Sequence, residues 1–448
     1  MSTKDPVLKV RPGCPLEGEY TLPGDKSLSH RAALLAALAE GRSQVDHFLA
    51  AGVTRAMLEA LSGLGVPWRL AGEQLVVDSP GWRGWRSPTE ALDCGNSATT
   101  LRLLAGALSA AGVPAVLDGS PGLRKRPMDR IVEPLEQMGV SLSAQGGCAP
   151  LRLSAFRRPL KAIDYRLPVA SAQVKSCLLL AALAARGRTT LREPGPSRDH
   201  TERMLHSMGV AVESEQRTAG GGMEYITRLT PQVPLQLKPL DFAVPGDISS
   251  AAFLIVAALI TPGSEVRLRN VGLNPTRTGL LEALKSMEAD ITIEPHDDQQ
   301  GEPVGDLTVR SSRLHGTQVA GSLVVRMIDE FPVFAVAAAF ADGRTVVSQA
   351  EELRLKESDR ISMLCQELAG LGAQITEAPD GFTVQGGQWL RGGVVEAHSD
   401  HRLAMSLALV GLAGQGEVTV QGADMIGESF PDFAEVLRGF GAQVESGG

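Results

Sequence analysis

Six times along the chain, an apolar stretch with helical spacing closes on a glycine and is followed by a short β-like run. The closing glycines are Gly41, Gly112, Gly187, Gly263, Gly343 and Gly416, spaced 71, 75, 76, 80 and 73 residues apart. Such a period makes one supersecondary unit the building block, because a lone unit cannot bury its own apolar face. Each β-like run leads to a second stretch with apolar residues at i, i+3, i+4 and i+7, the pattern of an amphipathic helix. These stretches are 57–65, 131–139, 203–209, 280–287, 361–372 and 433–441. Most close on Gly before a small or β-branched residue, a helix C-cap entering a strand. The expected module is therefore helix, strand, helix, strand.

A longer repeat lies over the short one. PGDKSLS at 23–29 and PGDISS at 245–250 both lead into apolar helices, 222 residues apart, which is three modules. At 448 residues the chain is too long for one compact core. Two domains of three modules are expected: residues 23–243, and a discontinuous domain of 1–22 plus 244–448. The chain would cross between them near each Pro-Gly-Asp.

The period alone admits a solenoid, or a ring that encloses something, so composition narrows the field. Hydrophobic residues make up 43% and charged residues 21%, a balance for a globular enzyme. The longest apolar stretches, 254–260 and 331–341, are shorter than the roughly 18–20 residues of a membrane span. The N-terminal MSTKDP has no apolar region, so no signal peptide is expected. Cys14, Cys94, Cys148, Cys177 and Cys365 are scattered and odd in number, which argues against a disulfide framework or zinc ribbon and for a reducing compartment. A net charge of −8 offers no overall basic field for nucleic acid, and 4% aromatic residues offer little stacking surface.

The helix starts carry the chemistry. Segments entering the first helix of each module read GDKSLSHR (24–31), CGNSATTLR (94–102), SAQVK (171–175), GDISS (246–250), DEFP (329–332) and HSDHR (398–402). Gly, Ser, Thr, Asn and Asp are capping residues, and capping alone accounts for Asp25, Thr100 and Ser250. Lys26, Arg31, Lys175 and Arg402 differ, because a cation in the first turn of a helix opposes the macrodipole. Their recurrence points to bound anions: free N–H groups at helix N-termini bind phosphate, and neighbouring Arg and Lys complete such pockets. More basic residues precede the second helices, in RKRPM (124–128), SRDH (197–200) and KESDR (356–360). Any one of these is by default a solvated turn. Together they suggest two anionic groups in one cleft. Asp329, Glu330 and Glu357 stand beside these cations; they are either ordinary ion pairs or, inside such a cleft, a general acid and base. The P-loop, the G-x-S-x-G elbow and H-E-x-x-H are missing. HSDH offers two imidazoles without further ligands, so no metal and no cofactor are expected.

Six motifs in order, PGDKSLSHR (23–31), GNSATTLR (95–102), KRPM (125–128), SAQ (171–173), LRLKESDR (353–360) and DHR (400–402), closely resemble the 5-enolpyruvylshikimate-3-phosphate synthase family over nearly the whole chain. The resemblance implies an α/β, two-domain enolpyruvyl transferase fold, an inside-out α/β barrel with three βαβαββ units per domain and helix N-termini facing the cleft. It implies transfer of the enolpyruvyl group of phosphoenolpyruvate to the 5-hydroxyl of shikimate 3-phosphate, releasing phosphate through a tetrahedral intermediate, within aromatic amino acid biosynthesis. Both substrates are polyanions, which answers the question posed by the cations. These two small molecules are the expected partners of a cytoplasmic monomer that engages neither nucleic acid nor membrane.

Carried over by motif, Lys26, Ser27, Arg31, Ser171, Ala172, Gln173, Arg198, Asp329 and Lys356 would hold shikimate 3-phosphate. Lys26, Ala98, Arg126, Gln173, Arg360 and Arg402 would hold phosphoenolpyruvate. Asp329 would accept the proton of the attacking hydroxyl, Glu357 would protonate the methylene carbon, and Lys26 would assist phosphate loss. Ala98 stands where many members have glycine, Ala172 replaces a common serine, and Arg198 replaces a tyrosine. These departures resemble the class II members that tolerate glyphosate. Glu428 stands where many members have a phosphoenolpyruvate-binding lysine, so that role does not transfer. The nearest rival is UDP-N-acetylglucosamine enolpyruvyl transferase, which typically has Lys-Asn at the first helix and a reactive loop cysteine. A six-repeat DNA clamp would need basic pore-facing helices, and an RNA terminal phosphate cyclase would need nucleotide chemistry for which no motif is present.

Overall fold

The computed structural model describes residues 6–156, 159–219, 222–232 and 236–447. Residues 1–5, read above for a leader and assigned to the discontinuous domain, lie outside these, as does residue 448. The chain divides into two compact units, Gly24–Pro245 with Asp298–Glu302, and Met1–Pro23 with Gly246–Asp297 and Pro303–Gly448.

The first of these units holds α1 (Lys26–Leu38), α2 (Gly52–Gly63), α3 (Ala98–Ala111), α4 (Asp129–Gln137), α5 (Ala172–Ala182) and α6 (His200–Ser207). Helices α1, α3 and α5 are buried on almost every face, down to Ser29, Ser109 and Ser176. A helix without a polar face belongs in the interior, so these three form the centre and the sheets form the outside. Gly106 shows how tightly they pack: a Cβ there would lie 2.1 Å from the carbonyl oxygen of Cys177, so α3 and α5 meet backbone to backbone. Helices α2, α4 and α6 bury one side only.

Each module contributes a four-stranded sheet with one parallel pair and two antiparallel pairs. In the first, Asp241–Ala243 pairs parallel with Glu40–Asp46, which pairs antiparallel with Gln74–Pro80, and that with Trp68–Ala71. The same order recurs for Leu92–Asp93, Ala115–Asp118, Cys148–Leu153 and Leu142–Gln145, and for Asp164–Arg166, Thr189–Glu193, Gly222–Thr230 and Ala211–Ala219.

The second unit repeats the plan with α7 (Ile248–Ile260), α8 (Gly279–Ser286), the short α9 (Ser322–Arg326), α10 (Phe331–Phe340), α11 (Arg360–Gly370), α12 (His401–Ala413) and α13 (Phe433–Gly439). Here α7, α10 and α12 are the buried helices and pack against one another. Glu17–Thr21 supplies the parallel edge strand beside Glu265–Gly272. In the sixth sheet Val7–Arg11 lies between Gln415–Gln421 and Gln443–Gly447, antiparallel to both. The fold is α/β, each unit an inside-out barrel of three repeated modules with buried helices at its centre and four-stranded sheets outside.

Two local expectations are corrected. Five of the six modules close on an antiparallel hairpin rather than a single strand; in the sixth, Val7–Arg11 takes the second position. The added strand covers the edge that the strand after the first helix would otherwise leave open. Asp25 caps α1 as expected, accepting from Leu28 N–H at 2.8 Å. Thr100 and Ser250 do not cap: Ser97 caps α3 and Asp247 caps α7, with Thr100 and Ser250 one turn inside. Among the described residues no helix is long and apolar enough to cross a membrane.

Candidate active site

In the unit beginning at Gly24, the residues singled out from the sequence gather at the N-terminal turns of α1, α3 and α5. Lys26, Ala98 and Ala172 are each the first residue of their helix, and Ser171 is the N-cap of α5. These turns are stitched together. His30 Nδ1 lies 2.7 Å from the Lys26 carbonyl, and its Nε2 lies 3.2 Å from Ser97 Oγ, tying α1 to α3. Gln173 Nε2 donates to Thr99 Oγ1 at 2.8 Å, and Arg102 donates both to Gln173 Oε1 and to the Pro127 carbonyl, beside Arg126. Arg198 Nη1 donates to Ser27 Oγ at 3.2 Å. Thus Ser27, Gln173 and Arg198 share one hydrogen-bonded surround with the N-termini of α1, α3 and α5. Free N–H groups at three such ends concentrate positive potential, which suits a phosphate.

Arg31 is only 3% exposed. It stands in the second turn of α1, donating to Thr201 Oγ1 (2.8 Å), the Ser27 carbonyl (3.0 Å) and Ser176 Oγ (3.0 Å). It therefore braces α1 against α5 and α6. Lys175 corrects the sequence argument. The anion expected beside it is the protein's own: its Nζ lies 3.0 Å from Glu193 and 2.8 Å from Glu202, all three buried. Burial opposes the lysine charge, but the two carboxylates outweigh it and hold its pKa above the usual lysine range. Burial pushes Glu202 above the usual carboxylate range. Neither glutamate was visible as a partner in the sequence, because 18 and 27 residues separate them from Lys175.

In the other unit, Asp329, Lys356, Glu357, Arg360 and Arg402 come together. Lys356 Nζ lies 3.2 Å from Asp329 Oδ1, and Arg402 Nη2 lies 4.0 Å from Asp329 Oδ2. Arg360, at 1% exposure, is ringed by carboxylates: Asp400 at 2.7 Å, Glu357 at 2.7 Å and Asp329 at 3.5 Å. Burial alone would lower its pKa; Asp400, Glu357 and Asp329 reverse that, so the guanidinium stays charged. Asp400 also caps α12 through Arg402 N–H at 2.9 Å and accepts from Ser358 Oγ at 3.2 Å. His398 and Ser399 just before it both have positive φ, 51° and 56°, an uncommon conformation outside glycine. His398 Nε2 sits 2.7 Å from Glu367 Oε1, which anchors that turn.

The neighbours that sequence reasoning missed are Arg102, Asp400, Ser249 and Arg277. Glu330 Oε1 accepts from Ser249 Oγ, to which Arg277 Nη2 also donates at 2.8 Å. Arg102, Ser249 and Asp400 lie within the motifs given above, and their burial beside charged groups was the missing signal. What this unit supplies is two carboxylates, Asp329 and Glu357, held among three cations, two of which, Arg360 and Arg402, stand in the first turns of α11 and α12.

A family model described as EPSP synthase (3-phosphoshikimate 1-carboxyvinyltransferase) matches residues 10–437. Among curated proteins, the chain is 46% identical over 435 residues to the 3-phosphoshikimate 1-carboxyvinyltransferase of Coxiella burnetii, covering 96% of both chains. It is 48% identical over 444 residues to the protein of that name from Xanthomonas euvesicatoria, covering 98% of both. Among solved structures, the EPSP synthase of Acinetobacter baumannii matches with a TM-score of 0.85 at 40% identity, over 99% of this chain and 100% of that one. A match across the whole repeat, in sequence and in fold, leaves one conclusion: the chain belongs to the EPSP synthase (3-phosphoshikimate 1-carboxyvinyltransferase) family.

Proposed function

We infer that this chain transfers the enolpyruvyl group of phosphoenolpyruvate to the 5-hydroxyl of shikimate 3-phosphate, releasing phosphate. The observation that carries this reading is the grouping of Asp329, Lys356, Glu357, Arg360 and Arg402 within one unit. Lys26, Ser27, Arg31, Ser171, Ala172, Gln173, Arg198, Asp329 and Lys356 are assigned to shikimate 3-phosphate. Lys26, Ala98, Arg126, Gln173, Arg360 and Arg402 are assigned to phosphoenolpyruvate. Glu357 gives a proton to the methylene carbon, which leaves the adjacent carbon electrophilic. The 5-hydroxyl oxygen bonds to that carbon as Asp329 takes its proton. Glu357, left as a carboxylate, takes a methyl proton back as the carbon–oxygen bond to phosphate breaks, which restores the double bond, with Lys26 assisting departure of the phosphate. Fixed cations supply much of the stabilisation, because they need no reorganisation as charge develops.

The same reading takes residues 23–243 as one domain and 1–22 plus 244–448 as the other, acting as a cytoplasmic monomer. Neither a UDP-N-acetylglucosamine enolpyruvyl transferase nor a DNA clamp is favoured by relatives named as carboxyvinyltransferases acting on 3-phosphoshikimate. Single-turnover trapping tests the two carboxylates. Asp329→Ala should slow addition, and Glu357→Gln should slow both addition and collapse of the intermediate. Full activity in either variant would contradict these roles.

A further inference from the structure

The carboxylate of Glu193 has no place in the reaction steps above, yet it fastens two elements assigned to shikimate 3-phosphate. It is 2% exposed, at the end of strand Thr189–Glu193. Its Oε1 accepts from Ser171 N–H at 3.1 Å, and its Oε2 lies 3.0 Å from Lys175 Nζ. That ammonium also donates to the Ser197 carbonyl at 3.2 Å. Ser171 makes no side-chain capping bond to α5; its carbonyl accepts from Lys175 N–H at 2.9 Å, and the carboxylate holds its N–H. Ser197 immediately precedes Arg198, whose Nη1 reaches Ser27 Oγ.

A buried ion pair is poor value as a stabiliser, since well-packed apolar residues often do as well or better. It is better suited to fixing geometry. Glu193 takes one donor on each oxygen, and Lys175 spans from it to the next loop. We propose that Glu193 is a positioning residue for shikimate 3-phosphate, holding Ser171–Gln173 directly and Arg198 through Lys175. The proposal rests on the assignment of those residues made above.

Isosteric substitution separates geometry from packing. Glu193→Gln keeps the volume but must turn its NH2 group toward either the Ser171 N–H or the Lys175 ammonium, donor against donor. Glu202→Gln keeps a carbonyl oxygen for the single ammonium contact that Glu202 makes. Initial rates of phosphate release, with each substrate varied in turn, are the measurement. Glu193→Gln should raise KM for shikimate 3-phosphate about 10- to 100-fold, the loss of one or two charge-assisted hydrogen bonds. KM for phosphoenolpyruvate should stay within about twofold, and Glu202→Gln should change neither constant more than about threefold. If Glu193→Gln does not accumulate as folded protein, Lys175→Arg carries the same expectation, because it keeps the charge but not the compact ammonium. An unchanged KM for shikimate 3-phosphate, equal rises in both constants, or a change in kcat alone would overturn the proposal. A wild-type enzyme inactive with shikimate 3-phosphate would instead overturn the functional reading.

Discussion

Arg360 illustrates how much a single buried charge depends on its surround. Asp400, itself fully buried, gives it a 2.7 Å contact while also capping α12. Asp400→Asn keeps the capping oxygen but removes one of three counter-charges, and weakening a charge-assisted contact while Glu357 still pairs the guanidinium costs about 1.5–3 kcal/mol. Urea unfolding should show that loss, together with a fall in phosphate release; an unchanged midpoint would show that Arg360 is held by other means. Ala98 tests a steric point. It is 1% exposed at the first position of α3, and its methyl group is proposed to exclude glyphosate while sparing phosphoenolpyruvate. Ala98→Gly should lower the glyphosate inhibition constant about tenfold or more, as expected when one methyl group is deleted from a packed site. A constant unchanged by the substitution would remove the steric account. At this scale Lys356, Glu357 and Arg360 were legible because they sit together in one motif. The countercharges of Lys175 were not, since carboxylates on a later strand and helix reach it only through the fold.

Elements meet at their ends as well as along their faces. His30 ties the start of α1 to that of α3, and burial, chiefly, pushes its pKa down from 6.5 to about 4. The native state therefore holds it neutral, while the unfolded chain takes up a proton below pH 6.5. Its contribution to stability is present above that pH and is lost as pH falls toward 4. Between pH 7 and pH 5 the loss is about 2 kcal/mol. Urea titrations of wild type and His30→Gln at both pH values should show the wild type losing about that much more than the variant. Equal losses would mean that His30 does not titrate across the fold. The apolar runs of α7 and α10 and the amphipathic second helices were readable from periodicity. Caps were less so, because GNSATT (95–100) and GDISS (246–250) each present several capping residues in a row, and only backbone geometry selects Ser97 and Asp247.

Over the whole molecule, the glycine period and the 222-residue offset announced six modules in two groups of three. They are present as six four-stranded sheets around buried helices among the described residues. The closing hairpins were less visible. Strands such as Trp68–Ala71 and Gln374–Ala378 are short and lie half-buried or exposed at the sheet edge, where burial imposes no strong pattern. Nor does periodicity reveal that Val7–Arg11 completes the sixth sheet, since that pairing spans more than 400 residues. Chain-wide order and local chemistry converge on one reaction, and stopped assays of inorganic phosphate released from phosphoenolpyruvate test it most directly. Release should require shikimate 3-phosphate and should not occur when UDP-N-acetylglucosamine replaces it. Equal release with no acceptor, or release only with the nucleotide sugar, would contradict the account.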